Sequence, residues 1–174
     1  MAIPEAPTPV KLIISLMTPD PRYFDLALAE LEATHGPSDL SSPEIRDPHY
    51  EFYEEEMGPG LVKKIFAFEQ LVDPGSLAPI KMQANSIELA FSVRGRRAVN
   101  LDPGYVTLGN VVLASAKPRQ RRIYLRDGIY AELELIFRSG EFIPMEWTYP
   151  DFRRPEVLAF LIQVRAKYAD QLHE

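Results

Sequence analysis

Proline sets the first constraint on this chain. Sixteen of its 174 residues are proline, about 9% against a usual ~5%. Each proline fixes φ and removes a backbone donor, so helix interiors and central strands must run between them. Long uninterrupted helices are not expected, and short elements opened or closed at proline are favoured. Asp20-Pro21, Pro79 and Pro155 stand where helices can begin, because the first helical turn has no intrahelical use for the missing N–H. The length suits one domain over 1–174, with a proline-rich flexible tail over 1–9. Apolar residues make up 46% and charged residues 25%, an ordinary globular composition. The absence of cysteine excludes a disulfide scaffold, thiolate zinc sites, iron–sulfur clusters and a cysteine nucleophile. Met1–Lys11 lacks the basic and apolar regions of a signal peptide. Pro103–Ala116, the longest charge-free run of the second half, is too short to span a bilayer. A cytoplasmic protein with no membrane partner is expected.

Val10–Met17 is a β-branched apolar run bounded by prolines and reads as a buried strand. Phe24, Leu28 and Leu31 then recur at helical spacing until Gly36-Pro37. Residues 37–60 form a polar excursion, with one strand expected near His49–Tyr53 and a solvated acidic face at Glu54-Glu55-Glu56. Leu61–Leu71 alternates as a strand. Pro79–Val93 reads as a second helix, with Ile80, Ala84, Ile87 and Phe91 on a core stripe. Lys81, Asn85, Glu88 and Ser92 form a polar stripe beside it, followed by a second apolar stripe of Met82, Leu89 and Val93. A polar strip between two apolar ones suits either the wall of a crevice or a solvated strip. Ala98–Leu101 is a short strand, and Asp102-Pro103-Gly104-Tyr105 fits a type II turn. Tyr105–Ala116 is a strand with a bend at Gly109-Asn110.

Around Arg126-Asp127-Gly128, a three-residue loop pairs Leu125 with Ile129, Tyr124 with Tyr130, Ile123 with Ala131 and Arg122 with Glu132. That register keeps the apolar residues on one face. A strand over Phe142–Met145, an aromatic connector (WTYPDFRRP) and a helix opened by Pro155 complete the chain. The expected fold is α+β, with a ferredoxin-like β-α-β-β-α-β start extended by antiparallel strands and a C-terminal helix.

No Walker phosphate loop, G-x-G-x-x-G strand–helix turn or G-x-S-x-G elbow is present, and His35, His49 and His173 match no zinc spacing. Charge is uneven beneath the net −6. Residues 5–69 hold thirteen acids and five bases, a net of −8. Arg94–Arg126 holds eight bases and one acid, a net of +7. Such a cluster suits a phosphorylated ligand or a nucleic-acid backbone, or equally a set of solvated turns. Polar residues also interrupt apolar elements: Glu69, Asn100, Asp102, Lys117 and Glu132, with Lys81 and Glu88 from the helix stripe. Buried charges are costly unless paired or ligand-bound. The set fits a carboxylate site for Mg²⁺ (Glu69, Glu88, Asp102 and Asp151 as metal candidates), or internal ion pairing such as Arg122 with Glu132.

The blocks FAFEQLVDPGSLAPIKMQANSIE (66–88), VNLDPGYV (99–106), VLASAK (112–117), RIYLRDGIYAE (122–132) and WTYPDF (147–152) resemble the prokaryotic domain of unknown function 4416 family over nearly the whole chain. Members often carry the description "GTP-binding protein", and the resemblance so implies a nucleotide ligand. Without a Walker loop or an N-K-x-D segment, a nucleotide would need another architecture. Where this chain has Ser115-Ala116-Lys117 and Arg121-Arg122, members often have Ser-Thr-Lys and His-Arg. Matched residue by residue, the blocks retain Glu69, Lys81, Asn85, Glu88, Asn100, Asp102, Tyr105, Lys117, Arg122, Tyr124, Glu132, Trp147, Tyr149 and Asp151.

Three functions follow as expectations. In the first, a pocket binds or processes a phosphorylated small molecule or nucleotide: Lys81, Lys117 and Arg122 hold phosphate, and Tyr124 or Trp147 stacks a base. Asn85, Asn100, Tyr105 and Tyr149 add binding contacts, and Glu88, Asp102 and Glu132 are the catalytic candidates. The second is a nucleic-acid-binding module that uses Arg94–Arg97 and Lys117–Arg126 with Tyr124 and Tyr130. The third is a carboxylate-based, metal-dependent hydrolase.

Overall fold

A computed structural model describes residues Met1–His173. Residues 1–9 carry no secondary structure and are exposed. The first strand, β1 (Val10–Thr18), is buried along its whole length, as its unbroken apolar run requires. Helix α1 (Arg22–His35) follows; Asp20 Oδ1 accepts the Arg22 N–H at 3.0 Å, which satisfies one of the free donors of the first turn. A short strand, β2 (Ser38–Ser41), leads through a 3₁₀ turn at Pro48–Tyr50 into helix α2 (Glu51–Met57). Strand β3 (Val62–Val72), helix α3 (Leu77–Ala90) and strand β4 (Asn100–Val106) complete the first half. The second half is antiparallel: β5 (Asn110–Ser115), β6 (Ile123–Arg126), β7 (Ile129–Arg138) and β8 (Glu141–Pro144), then helix α4 (Pro155–Gln171).

The eight strands make one sheet in the order β2-β3-β1-β4-β5-β7-β6, with β8 also on β7. Its first four strands, interleaved with α1 and α3, have the split β-α-β-β-α-β order, and every pairing among them is antiparallel. Successive residues of a strand face opposite sides, and β1 feeds two cores. Leu12, Ile14 and Leu16 meet Phe24, Ala27 and Leu31 of α1 and Ile80 and Ala84 of α3. Ile13 and Met17 belong to the cluster of Val157, Phe160, Leu161 and Val164 of α4, with Tyr50 and Met57. The sheet is thus sandwiched between α1 and α3 on one face and α4 and α2 on the other.

Three local expectations are corrected. The strand expected at His49–Tyr53 is helical; the second strand of the split unit is Ser38–Ser41. Asp47-Pro48 supplies the same start signal as Asp20-Pro21, with the Asp47 side chain accepting the His49 N–H at 2.9 Å. The hairpin at Asp127-Gly128 pairs Ile123 with Ala131 and Tyr124 with Tyr130 as expected, but Arg126 rather than Leu125 pairs with Ile129. Leu125 is bulged out, and the turn has two residues, Asp127 (φ 53°) and Gly128 (φ 75°), both left-handed as a type I′ turn requires. The third correction shapes the molecule most. Asp102-Pro103-Gly104-Tyr105 is no turn but the middle of β4.

Gly104 is there for proximity rather than for turn geometry. It pairs with Leu113 of β5, and a Cβ at this position would overlap Val112 O and Leu113 Cδ2. The β4–β5 ladder covers Gly104–Val106 against Val111–Leu113 and stops there; the next residue of β4 is Pro103. On its other side β4 stays paired with β1 from Asn100 to Val106. The two strands therefore fork, with Asn100–Pro103 on one tine and Ala114–Lys117 on the other. Gly104→Ala should destabilise the protein by roughly 1–3 kcal/mol through overpacking, read as a lower denaturant midpoint; an unchanged midpoint would refute the close approach.

Candidate functional site

The fork leaves backbone groups of β4 without a neighbouring strand, and α3 takes them up from the opposite face. Glu88 Oε1 accepts the Leu101 N–H at 2.7 Å, and Lys81 Nζ donates to Leu101 O at 2.6 Å. Residues two apart in an antiparallel strand present their backbone groups to the same side, so Pro103 turns its donorless nitrogen to that same open edge. Lys81 and Glu88 stand seven residues apart on α3, two turns along one stripe. The polar strip of α3 is thus a crevice wall, while its second apolar stripe, Met82, Leu89 and Val93, is exposed.

Between the tines lies a cavity of about 160 Å³. Ser15, Lys63, Asn100 and Asp102 line it from β1, β3 and β4, and Leu113–Lys117 from the end of β5 and the following loop. Lys81, Asn85 and Glu88 enter from α3, Glu132 from β7, and Arg97 from the loop after α3. His49, Tyr50 and Tyr53 of the α2 segment and Tyr149, Asp151 and Phe152 of the connector close the remaining side.

Each carboxylate of this lining is held by a cation. Asp102 accepts from Lys81 (3.1 Å) and from the Asn100 amide (2.6 Å). Burial works to raise its pKa, but Lys81 and Lys63 overcome that and hold it below the usual carboxylate range. Asp151 accepts from Lys63 and from the Tyr50 hydroxyl. Burial would lower the Lys63 pKa; Asp151 and Asp102 reverse the effect and keep the ammonium charged. Glu88 Oε2 accepts from Arg97 (3.0 Å), which also bonds Asn100 and makes a two-point contact with Glu56 at 2.7 and 2.8 Å. Glu56 is therefore one arm of a clasp at the cavity rather than part of a merely solvated acidic face. Glu132 is 2% exposed and is shared by Arg121 (2.6 Å) and Arg122 (2.7 Å).

Of the residues expected at a site, Lys81, Asn85, Glu88, Asn100, Asp102, Lys117, Glu132, Tyr149 and Asp151 share this cavity. Arg122 stands behind it as a clamp, donating to Glu132, Ser115 Oγ, the Lys117 carbonyl and the Tyr149 hydroxyl. The other four lie elsewhere. Glu69 is exposed six residues along β3 from Lys63, about 20 Å at strand spacing, and cannot act with Asp151. Trp147 spends its Nε1–H on Leu133 O (2.8 Å), tying the connector to β7. Tyr124 is exposed on β6 against Tyr130, and Tyr105 packs with Leu77, Val112 and Ile129. Among the described residues no three histidine or carboxylate side chains converge as a metal-binding set, and of the carboxylates proposed for Mg²⁺, Glu88, Asp102 and Asp151 are taken by cation partners.

Several lining residues escaped the sequence reading. Ser15 and Lys63 interrupt apolar strands, the same signal that marked Asn100 and Glu132. His49, Tyr50 and Tyr53 were hidden by the misplaced strand. Glu134, beside the cavity network, is fully buried, and its Oε1 has no partner among the described residues. It is the extra residue of a bulge, since Val111 pairs with Leu135 and Val112 with Leu133; its Oε2 accepts the Tyr149 N–H at 3.2 Å.

These features define an α+β protein of the split-βαβ type with a charged cavity where its central sheet forks. The chain matches the family described as "Domain of unknown function (DUF4416)" over residues 8–168, and it belongs to that family. No curated protein and no solved structure matches it. No helix of the described residues is long and apolar enough to cross a membrane.

Burial pushes the Glu134 pKa up to about 7 from 4.5. The folded chain therefore holds a proton that the unfolded chain releases above its own pKa. Stability from this group is full at pH below 4.5 and is lost as pH rises through about 7, a loss on the order of 3 kcal/mol. Urea titrations at stepped pH should show that loss in the wild type and a flatter profile in Glu134→Gln. Parallel profiles would contradict the assignment.

Proposed function

We propose that the protein binds a phosphate-bearing small molecule, with a compact head group in the forked cavity and the phosphate at its rim. Lys117 carries this reading. The other lining cations, Lys63, Lys81 and Arg97, are tied to carboxylates, whereas Lys117 makes no ion pair among the described residues and feels only a longer-range attraction from Glu56. Its carbonyl is fixed by Arg122 (2.8 Å) and its N–H by Ser115 Oγ (3.2 Å), so the backbone that carries the ammonium is positioned before any ligand arrives. Arg94, Arg96 and Arg119 stand within three residues of Arg97 or Lys117, also without acidic partners among the described residues. Together they add positive charge to the two segments that supply Arg97 and Lys117, which attracts anions.

Size sharpens the reading. Pockets for drug-sized ligands occupy roughly 300–1,000 Å³, so a cavity of about 160 Å³ takes a ring-sized group and leaves the charged remainder at the mouth. A nucleotide would bind with only one part enclosed. The balanced ion pairs inside favour an uncharged insert, since an enclosed phosphate would compete with Glu88, Asp102, Glu132 and Asp151.

Inorganic phosphate and pyrophosphate should raise the melting temperature by mass action, less so at high salt. Lys117→Ala should weaken calorimetric binding by about 10–100-fold, the range for a hydrogen bond to a charged group. Equal binding by wild type and variant, or no response to either anion, overturns the reading.

A further inference from the structure

We propose that the inner end of the cavity selects a polyhydroxy head group, which makes the ligand class a sugar or polyol phosphate; this rests on Lys117 being the phosphate contact. The observation is a set of unused hydrogen-bonding groups that converge from four separate elements. Ser15, on β1, is 2% exposed, and its Oγ has no partner among the described residues. It sits opposite Asp102 on the neighbouring strand and lines the cavity. A buried, unpartnered hydroxyl is destabilising, so an alanine would serve the fold better at this position. Lys63, on β3, gives one bond to Asp151 and keeps two of its three donors. Tyr53 from α2 and Asn85 from α3 also line the cavity, and neither side chain has a hydrogen-bond partner among the described residues.

The chemistry of this set identifies what it recognises. Hydroxyl and amide groups both donate and accept, and the nearby charges balance, Lys63 and Lys81 against Asp102 and Asp151. A group matching all of this is uncharged, ring-sized and able to donate and accept in several directions, as a polyol is. A nucleobase would not find the Tyr50 ring free to stack on. The Tyr50 ring has the Lys63 ammonium at 5.1 Å from its centroid, and its hydroxyl is given to Asp151.

The test is isothermal titration of the full chain with ribose phosphate, glucose phosphate, glycerol phosphate, the free sugars, adenosine monophosphate and inorganic phosphate. At least one sugar or polyol phosphate should bind tighter than inorganic phosphate and than adenosine monophosphate. Ser15→Ala and Tyr53→Phe should each weaken that ligand by roughly 3–10-fold, the range for one neutral hydrogen bond, while leaving inorganic phosphate unchanged. Ser15→Ala should also melt no lower than wild type without ligand, which separates lost recognition from lost folding. Tightest binding of adenosine monophosphate, or wild-type affinity in both variants, overturns this inference and leaves the phosphate reading intact. No binding of any phosphate compound overturns both.

Discussion

The rest of the structure depends on the end of one ladder. Beyond Gly104 the backbones of β4 and β5 separate, and the residue at the parting is Pro103, which has no N–H to extend a ladder. Had the strands continued in register, Asp102 would face Ser115, and no room would exist for a cavity. An unpaired strand edge inside a protein is costly, and α3 removes that cost with two charged side chains acting as a substitute strand. Lys81 and Glu88 are buried because they complete Leu101. Their charges are then available to organise Asp102 and Arg97. A backbone defect is thus converted into a charged wall.

That wall belongs to a wider network that stability alone does not explain. Buried ion pairs rarely add more than well-packed apolar residues of the same volume would. Here Lys63 with Asp151, Lys81 with Asp102, Arg97 with Glu88 and Arg122 with Glu132 surround one small space. They couple both faces of the sheet, since α3 lies on one and the α2 segment and connector on the other. A mutation at any pair leaves a partner charge uncompensated, the case in which buried charges are most destabilising. The arrangement fixes polar groups in position without binding energy being used to orient them.

Much of the architecture was legible in the sequence because periodicity and proline agreed. β1, α1, β3, α3, β7 and α4 each combine one burial pattern with a clear start or stop, and the split β-α-β-β-α-β order follows from them. Failures cluster where two rules compete. Pro103-Gly104 has the composition of a type II turn, but Gly104 answers to the backbone of β5, a distant segment that local reasoning cannot see. At 48–57 the acidic run masked an Asp-Pro helix start, and with it Tyr50 and Tyr53. For the site, polarity within apolar elements found Lys81, Glu88, Asp102 and Glu132, because buried charge is detectable wherever the surrounding pattern is strong. The same signal misplaced Glu69, which lies near the exposed end of β3, where the apolar pattern has already lapsed.

Arg122 shows why chemical type alone does not separate side chains left with free hydrogen-bonding capacity from those that brace the fold. By sequence it is one basic residue among eight in the segment from Arg94 to Arg126, and an arginine is a natural phosphate partner. In the fold it is 8% exposed and its donors reach Glu132, Ser115, the Lys117 carbonyl and Tyr149. Those partners join β5, β7 and the connector, leaving the guanidinium little capacity for a ligand. Lys117, five residues earlier, has the opposite balance: its backbone is held and its ammonium is not. The discriminating property is unused hydrogen-bonding capacity after folding, which depends on partners brought together by tertiary structure. Ser15 meets the same criterion from the centre of an apolar strand, although its residue type carries no charge to announce it.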